Sequence, residues 1–158
     1  MNSDSLVKPW MRLALSLAET AKGRGEVPVG AVIVRDDQVL ATGFNLREHS
    51  HDPCAHAELI AIRRASAALR NWRLVDCELF VTLEPCLMCA GAIYQSRLKK
   101  VHFATRDPKA GALVSLFEIS KDKRLNHQFA IAEGELGAEA QTMLKAFFAK
   151  RRAENKAT

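Results

Sequence analysis

Two short segments of the chain contain residue types that bind metals and transfer protons. The first holds His56 and Glu58, and the second holds Cys86 and Cys89 behind a proline. One imidazole and two thiolates suit zinc, and three protein ligands leave the fourth tetrahedral position open, as a catalytic zinc requires. Glu58 stands two residues from the histidine, where a carboxylate can handle protons. These residues predict a zinc-activated water, with Glu58 as general acid and base.

The spacing within each segment restricts where helices can begin. Cys86 and Cys89 are three residues apart and follow Pro85, which favours a helix start, so both thiols are expected on one face of a first turn. The N-terminus of a helix also lowers thiol pKa values and favours the metal-binding thiolate. Inside a helix, residues two apart diverge by about 200°. His56 and Glu58 can therefore face one ion only if their helix begins there.

The rest of the chain shows the patterns of alternating strands and helices. Apolar, β-branched runs predict strands over 29–34, 39–45, 79–83, 100–104 and 129–132. Runs without breakers predict helices from Pro9 to about 22, from His56 to Leu69, from Pro85 to about Tyr94 and from Gly137 to Arg152. Polar loops are expected over 46–53 and 105–127. This order predicts one sheet covered by helices, an α/β sandwich, as a single domain over residues 1–158.

Composition and charge restrict the class of protein. A length of 158 residues suits one sizeable core, and 48% hydrophobic residues fit an ordinary globular protein. No apolar run resembles a signal peptide or reaches the 18 residues of a membrane span, so we expect a cytoplasmic protein without a membrane partner. Without a secretory signal, the four cysteines indicate metal or redox chemistry rather than disulfides. The net charge of +5 favours an anionic partner.

Four segments resemble the tRNA-specific adenosine deaminases of bacteria, within the cytidine deaminase-like superfamily. They are Glu26-Val27-Pro28-Val29-Gly30-Ala31, His51-Asp52-Pro53, Thr82 to Ala92 and Arg106 to Ala112. The resemblance runs from Trp10 to about Arg152, and H-x-E followed by P-C-x-x-C is the pattern of zinc deaminases. It implies a three-layer α/β/α sandwich with a five-stranded mixed sheet, a homodimer and one Zn²⁺ per subunit. It also implies conversion of adenosine to inosine at the wobble position in the anticodon stem-loop of a tRNA, with an arginine tRNA as the expected substrate.

The same resemblance implies a set of substrate contacts. Asn45 is expected to hydrogen-bond the target base, and Asp107 is expected to lie beside the anticodon loop. A tRNA partner makes Lys109, Arg151 and Arg152 candidate phosphate contacts, because such cations position an RNA without reading its sequence.

Two alternatives remain open, and two segments depart from the family pattern. A deaminase of a free nucleobase or nucleoside, such as guanine or cytidine, shares the metal and catalytic residues and differs in the flanking segments. Cys54 stands two residues before His56, where a residue that does not bind metal is usual. As a fourth ligand it makes a closed Cys₃His site, typical of a structural zinc in a non-catalytic RNA-binding module. Leu113-Val114-Ser115 replaces smaller residues expected after Ala112.

Overall fold

The computed structural model of the protein describes the backbone of residues 4–158 and the side chains of residues 9–158. The helices are α1 (Asp4–Gly23), α2 (Arg47–Ser50), α3 (Ala57–Leu69), α4 (Leu87–Gln95) and α5 (Gly137–Ala157), with a short 3₁₀ helix at Ile119–Lys121. The strands are β1 (Gly30–Arg35), β2 (Gln38–Phe44), β3 (Glu78–Leu83), β4 (Lys100–Thr105) and β5 (Ala130–Glu133). Each strand lies within one residue of its predicted bounds.

The strands form one mixed sheet in the order β2-β1-β3-β4-β5. β1 pairs antiparallel with both β2 and β3, whereas β3 with β4 and β4 with β5 are parallel pairs. Asp36 and Asp37 connect β1 to β2 with φ angles of 50° and 59°. Positive φ at both central residues is the geometry of a two-residue type I′ hairpin turn. Parallel strands need a crossover connection, and α4 provides it between β3 and β4.

Helices cover both faces of the sheet. α3 and α4 pack on one face, and α1 and α5 pack on the other. Because strand side chains alternate, Ile33 and Val81 face α3 and α4, while Val32 and Phe80 face α1 and α5. Burial on both faces explains the nearly continuous apolar sequence of the central strands. The predicted three-layer α/β/α sandwich with a five-stranded mixed sheet is confirmed.

Two glycines allow helices to approach the sheet closely. A Cβ built on Gly30 would lie 2.0 Å from the Ala14 carbonyl oxygen of α1, and one on Gly43 would lie 2.4 Å from the Ala57 carbonyl oxygen of α3. Real Cβ contacts with backbone are essentially never shorter than 3.0 Å. Only glycine therefore fits where α1 crosses β1 and where the first turn of α3 crosses β2.

The start of two helices differs from the sequence prediction. The sequence predicts Pro9 at the first helical position, but Pro9 lies inside α1, which begins at Asp4. As the sixth residue of α1, Pro9 lies beyond the four free N–H groups of the first turn, so its missing N–H removes one bond of the helical ladder, although its fixed φ fits a helix. Pro85 likewise does not open α4, because Cys86 is the N-cap and Leu87 is the first helical residue.

The polar loop predicted over 46–53 contains the short helix α2. Its N-cap, Leu46, has no side-chain acceptor, so the free N–H groups of the first turn need another partner. Glu26 provides it, because its buried carboxylate accepts the N–H groups of Glu48 at 3.2 Å and His49 at 2.8 Å. The predicted C-terminal helix is also five residues too short, since α5 continues through exposed helix formers to Ala157. None of the helices within residues 4–158 combines the length and apolar character that crossing a membrane requires.

Candidate active site

The two metal-binding segments meet at the N-termini of α3 and α4. His56 is the N-cap of α3 and Cys86 is the N-cap of α4, both with extended backbone angles. A cap residue lies half outside the helix, so its side chain is free of the helical spacing. His56 and Glu58 can therefore face one point, which Cys89 faces from the first turn of α4. The prediction that the helix begins at His56 is confirmed.

The three predicted ligand atoms form a tight group. His56 Nδ1 lies 3.6 Å from Cys86 Sγ and 3.5 Å from Cys89 Sγ, and the three atoms lie within 4.8 Å of one another. Zn–S bonds of about 2.3 Å and Zn–N bonds of about 2.0 Å at tetrahedral angles place such nitrogen and sulfur atoms about 3.5 Å apart. The group therefore has the donor types and the spacing of a zinc site with three protein ligands.

Cys54 does not belong to this group of ligand atoms in the described part of the chain. Its backbone N–H donates to Asp52 Oδ1 at 2.8 Å, and its carbonyl accepts the His56 N–H at 2.8 Å. These bonds hold the backbone in a tight turn directly before α3 and leave the thiol half-buried. The geometry gives no support to the closed Cys₃His alternative.

Hydrogen bonds within the group set the protonation of its members. The hydrogen bond with Cys89, ahead of that with His56, lowers the pKa of the Cys86 thiol to about 4. The same contact, together with burial, raises the pKa of the Cys89 thiol. The hydrogen bond with Cys86 raises the pKa of His56. A metal cation changes this balance, because a coordinating thiol is deprotonated outright.

Glu58 extends the site from the first turn of α3. Its side chain is buried, and its Oε2 accepts a hydrogen bond from the Cys89 thiol at 3.3 Å. Burial raises the pKa of the Glu58 carboxyl, and this effect outweighs the opposing influence of its backbone N–H and of His56. A carboxyl group desolvated in this way beside a metal-binding group is a candidate for proton transfer.

Asn45 is buried at the end of β2 and contacts the start of α3. Its Oδ1 accepts the backbone N–H of Ala57 at 2.9 Å, and its own N–H donates to the Val29 carbonyl at 3.2 Å. Asn45 thus supplies the acceptor that the N-cap His56 does not provide. Its Nδ2 has no protein partner among the described residues, so this amide group is free to donate to a substrate.

Asp107 and Lys109 lie on the segment that follows β4. Asp107 Oδ1 accepts the N–H groups of Lys109 at 3.0 Å and Ala110 at 3.3 Å, so this half-buried carboxylate shapes its own turn. The side chain of Lys109 is exposed. The segment then returns to the metal-binding group, where Gly111 forms an antiparallel bridge with Cys86. The structure therefore brings this predicted region next to one of the ligands.

Glu84 is a residue of the site that the sequence does not single out. It is 2% exposed and lies between β3 and the ligand Cys86. Its carboxylate accepts hydrogen bonds from the backbone N–H groups of Asp107, Leu113, Val114 and Ser115 and from the Ser115 hydroxyl. Burial alone would raise the pKa of Glu84, but the bonds from Ser115, Val114 and Asp107 outweigh it and lower that pKa. A carboxylate directly after a buried strand and before a metal ligand is the sequence signal that could have identified it.

The two arginines predicted to bind phosphate lie on α5, beside the end of α1. Arg151 donates to the Gly25 carbonyl at 2.7 Å, and its guanidinium lies 5.0 Å from the centre of the Phe147 ring. Arg151 therefore holds α5 against the turn after α1, whereas Arg152 is exposed.

Comparison with known proteins identifies the family. Residues 5–105 match the cytidine and deoxycytidylate deaminase zinc-binding region. The tRNA-specific adenosine deaminase of Haemophilus influenzae is 46% identical over 92% of this chain and 85% of its own length. That of Bacillus subtilis is 43% identical over 99% of this chain and 96% of its own length. The chain belongs to the tRNA-specific adenosine deaminase family. As a member of this family it is a zinc-dependent enzyme that removes an amine by hydrolysis.

Solved structures agree with the membership of the tRNA-specific adenosine deaminase family. A structure from a study of A-to-I editing by tRNA:A34 deaminases at the wobble position has a TM-score of 0.83 and 39% identity, over 85% of this chain and 98% of that chain. Guanine deaminase from Bacillus subtilis has a TM-score of 0.60 and 42% identity, over 67% of this chain and 66% of that chain. The tRNA deaminase structure therefore matches more of the fold, at a similar identity.

Proposed function

We propose that the protein converts adenosine to inosine at the wobble position of a tRNA, with an arginine tRNA as the expected substrate. The observation that carries this proposal is the similarity to tRNA-specific adenosine deaminases, which covers 92–99% of the chain rather than the metal-binding segments alone. The buried Glu58 beside a three-ligand metal group supports the chemistry.

The metal-binding group supplies the nucleophile in this proposal. His56 through Nδ1, and Cys86 and Cys89 through their sulfurs, would hold the zinc ion. Bound zinc provides a nucleophilic water at neutral pH by lowering its pKa from about 16 to about 7. Both thiol ligands belong to the N-terminal end of α4, where the free N–H groups and the helix dipole favour the thiolate form.

Glu58 would move the protons of the reaction. It takes a proton from the attacking water while the water oxygen bonds to the ring carbon that bears the exocyclic amine, and it delivers this proton to the adjacent ring nitrogen. The second proton of the water then passes through the same carboxylate to the departing amine. The carbon–nitrogen bond breaks, ammonia leaves and a carbonyl remains. A general acid and base of this kind contributes about 10²- to 10⁴-fold to the rate.

Residues around the group would bind the anticodon stem-loop. Asn45, whose Oδ1 is already bonded to the Ala57 N–H, would donate to the target base through its Nδ2, and Asp107 would lie beside the anticodon loop. Lys109 and Arg152 are exposed cations that can contact phosphates. Arg151 already donates to the Gly25 carbonyl, so it would offer a phosphate only its remaining N–H donors.

We also infer a homodimer that acts in the cytoplasm, where tRNA is available. Exposed apolar side chains on two adjoining segments support a contact between two copies. Leu87 and Met88 follow Cys86, while Leu116 and Phe117 follow the segment whose Gly111 pairs with Cys86, and these four are 37–54% exposed. Exposed apolar patches commonly mark protein interfaces. Light scattering of the wild type should give twice the mass of the chain, and replacing Met88 and Phe117 by glutamate should give a monomer.

Substrate class is tested by measuring ammonia release from several substrates in parallel. The zinc-loaded protein is incubated with an arginine tRNA carrying adenosine at the wobble position, with the same tRNA carrying guanosine there, and with free adenosine, guanine and cytidine. We expect ammonia from the first substrate alone. A comparable kcat/KM for a free nucleobase or nucleoside would contradict the proposal and favour the alternative deaminase.

A further inference from the structure

Glu84 lies between β3 and the metal ligand Cys86, and its carboxylate accepts hydrogen bonds from residues of the segment that follows β4. Its Oε1 accepts the Asp107 N–H at 3.2 Å and the Ser115 hydroxyl at 2.5 Å. Its Oε2 accepts the N–H groups of Leu113 at 3.2 Å and of Val114 and Ser115 at 3.0 Å. We call residues 107–115 the anchored loop, because one buried side chain holds both of its ends.

The anchored loop depends on this carboxylate for its shape. Residues 107–115 contain turns and a single bridge residue but no helix or strand. Backbone N–H groups that are buried without a partner are costly, so the loop needs an acceptor to replace the missing secondary structure. A carboxylate that accepts several converging N–H groups is a strong partner, because each bond is assisted by its charge.

Close packing connects the loop to the metal-binding turn. Gly111 bridges Cys86, and the Ala112 N–H donates to the Pro85 carbonyl at 2.9 Å. A Cβ built on Gly111 would lie 2.2–2.6 Å from three atoms of the Glu84 carboxylate group. The carboxylate therefore occupies the space where any other side chain at 111 would begin. The position of the loop beside the ligand is set by this contact.

We propose that Glu84 is a positioning residue for the RNA substrate. It holds the anchored loop in one conformation beside Cys86, so that the half-buried Asp107 and the exposed Lys109 are in place before the substrate arrives. If the loop populated other conformations, the apparent dissociation constant would rise by the inverse of the competent fraction. This inference rests on the proposed function, since it assigns the loop to tRNA binding.

The variant Glu84→Gln tests whether the carboxylate anchors the loop. It keeps the size of the side chain but loses the charge and adds an N–H₂ group that faces other donors. The matched control is Glu118→Gln, which makes the same change in the following segment, where the one side-chain partner of Glu118 among residues 9–158 is Lys121, in a surface ion pair. Hydrogen exchange of the zinc-loaded protein should be at least about tenfold faster at Leu113, Val114 and Ser115 in Glu84→Gln and unchanged in Glu118→Gln. Unchanged exchange in Glu84→Gln would overturn the anchoring role.

Steady-state kinetics then separates substrate positioning from a purely structural role. With equal zinc content, we expect the KM for the tRNA to rise about tenfold in Glu84→Gln while kcat stays within about threefold. Faster loop exchange with an unchanged KM would show that the anchor serves stability alone and would overturn the proposal. The exchange measurement needs no substrate and therefore tests the anchoring role separately. A wild-type protein that is inactive on every tRNA would refute the proposed function but would not contradict the anchoring role.

Gly111 offers a second route if Glu84→Gln does not fold. Gly111→Ala displaces the carboxylate without changing it, and it should accelerate exchange in the same three amides by a similar factor. Glu84→Ala removes the atoms with which the new Cβ of Gly111→Ala collides. The double variant should therefore exchange these amides no faster than Glu84→Ala alone. Independent, additive effects on loop exchange would contradict the contact.

Discussion

Gly43 controls the distance between β2 and the helix that carries two of the proposed active-site residues. In Gly43→Ala the new Cβ would meet the Ala57 carbonyl oxygen at 2.4 Å and the Ala61 nitrogen at 3.0 Å. Because real contacts are essentially never shorter than 3.0 Å, the first turn of α3 must move by about 0.6 Å. Ala57 lies between His56 and Glu58, so both side chains move with it. Catalytic groups tolerate a displacement of about 0.5 Å.

We expect Gly43→Ala to reduce stability and turnover together. Overpacking of this kind costs about 1–3 kcal/mol in the free energy of unfolding. A misplacement of about 1 Å costs up to about 100-fold in rate, so a shift of 0.6 Å should lower kcat about tenfold. Urea denaturation measures the first quantity, and deamination of saturating tRNA by zinc-loaded protein measures the second.

Gly91→Ala is the matched control for this variant. Gly91 lies inside α4, and among the described residues a Cβ built there meets nothing within 4 Å beyond its chain neighbours and the nearby backbone of its own helix. The change should raise the free energy of unfolding by about 0.5–1 kcal/mol, because alanine is the better helix former, and it should leave kcat unchanged. If Gly43→Ala retained wild-type stability and kcat, the close approach of α3 to β2 would be refuted.

Three further predictions concern the metal, a buried histidine and the RNA. Cys54→Ser should keep one zinc per chain by metal analysis and should keep activity, whereas Cys86→Ser should lose both. Loss of zinc in Cys54→Ser would instead support the site with four protein ligands. Burial lowers the pKa of His102 despite its hydrogen bond with Glu78. His102 therefore takes up a proton at a higher pH in the unfolded state than in the folded state, so the free energy of unfolding should fall as the pH drops below 6.5. The variant His102→Gln should flatten this pH profile, and a steeper profile would contradict the prediction. Arg152→Gln should reduce the slope of log K against log salt for tRNA binding by about 1, and an unchanged slope would remove Arg152 from the phosphate contacts.

The sequence was most informative where local chemistry decides the structure. All strands were predicted within one residue, and for the central strands β1, β3 and β4 the reason is that their apolar, β-branched runs are buried on both faces. Helical geometry required His56 to lie at the start of a helix, and in the structure His56 is the N-cap of α3. Cys86 was placed two residues too far into its helix, because the sequence shows the proline but not whether it precedes or occupies the first turn.

The features that the sequence did not reveal depend on contacts between distant residues. The short helix α2 is stabilised by Glu26, whose carboxylate accepts two N–H groups of the helix from residues 22 and 23 positions further along the chain. Glu84 binds a loop that begins 23 residues later in the chain. A buried glutamate of this kind has no periodic pattern and resembles any charged residue in a turn, so only the fold shows that its charge is satisfied by backbone donors.

We would test the zinc site and the role of Glu58 together by sequencing the tRNA product for inosine. Wild-type protein and Glu58→Gln, brought to equal zinc content and shown to be folded, are incubated with the arginine tRNA in single-turnover reactions. We predict inosine at the wobble adenosine alone for the wild type, and a rate at least about 10²-fold lower for Glu58→Gln. Inosine formed by Glu58→Gln at the wild-type rate, or no inosine from the zinc-loaded wild type, would contradict the proposed mechanism.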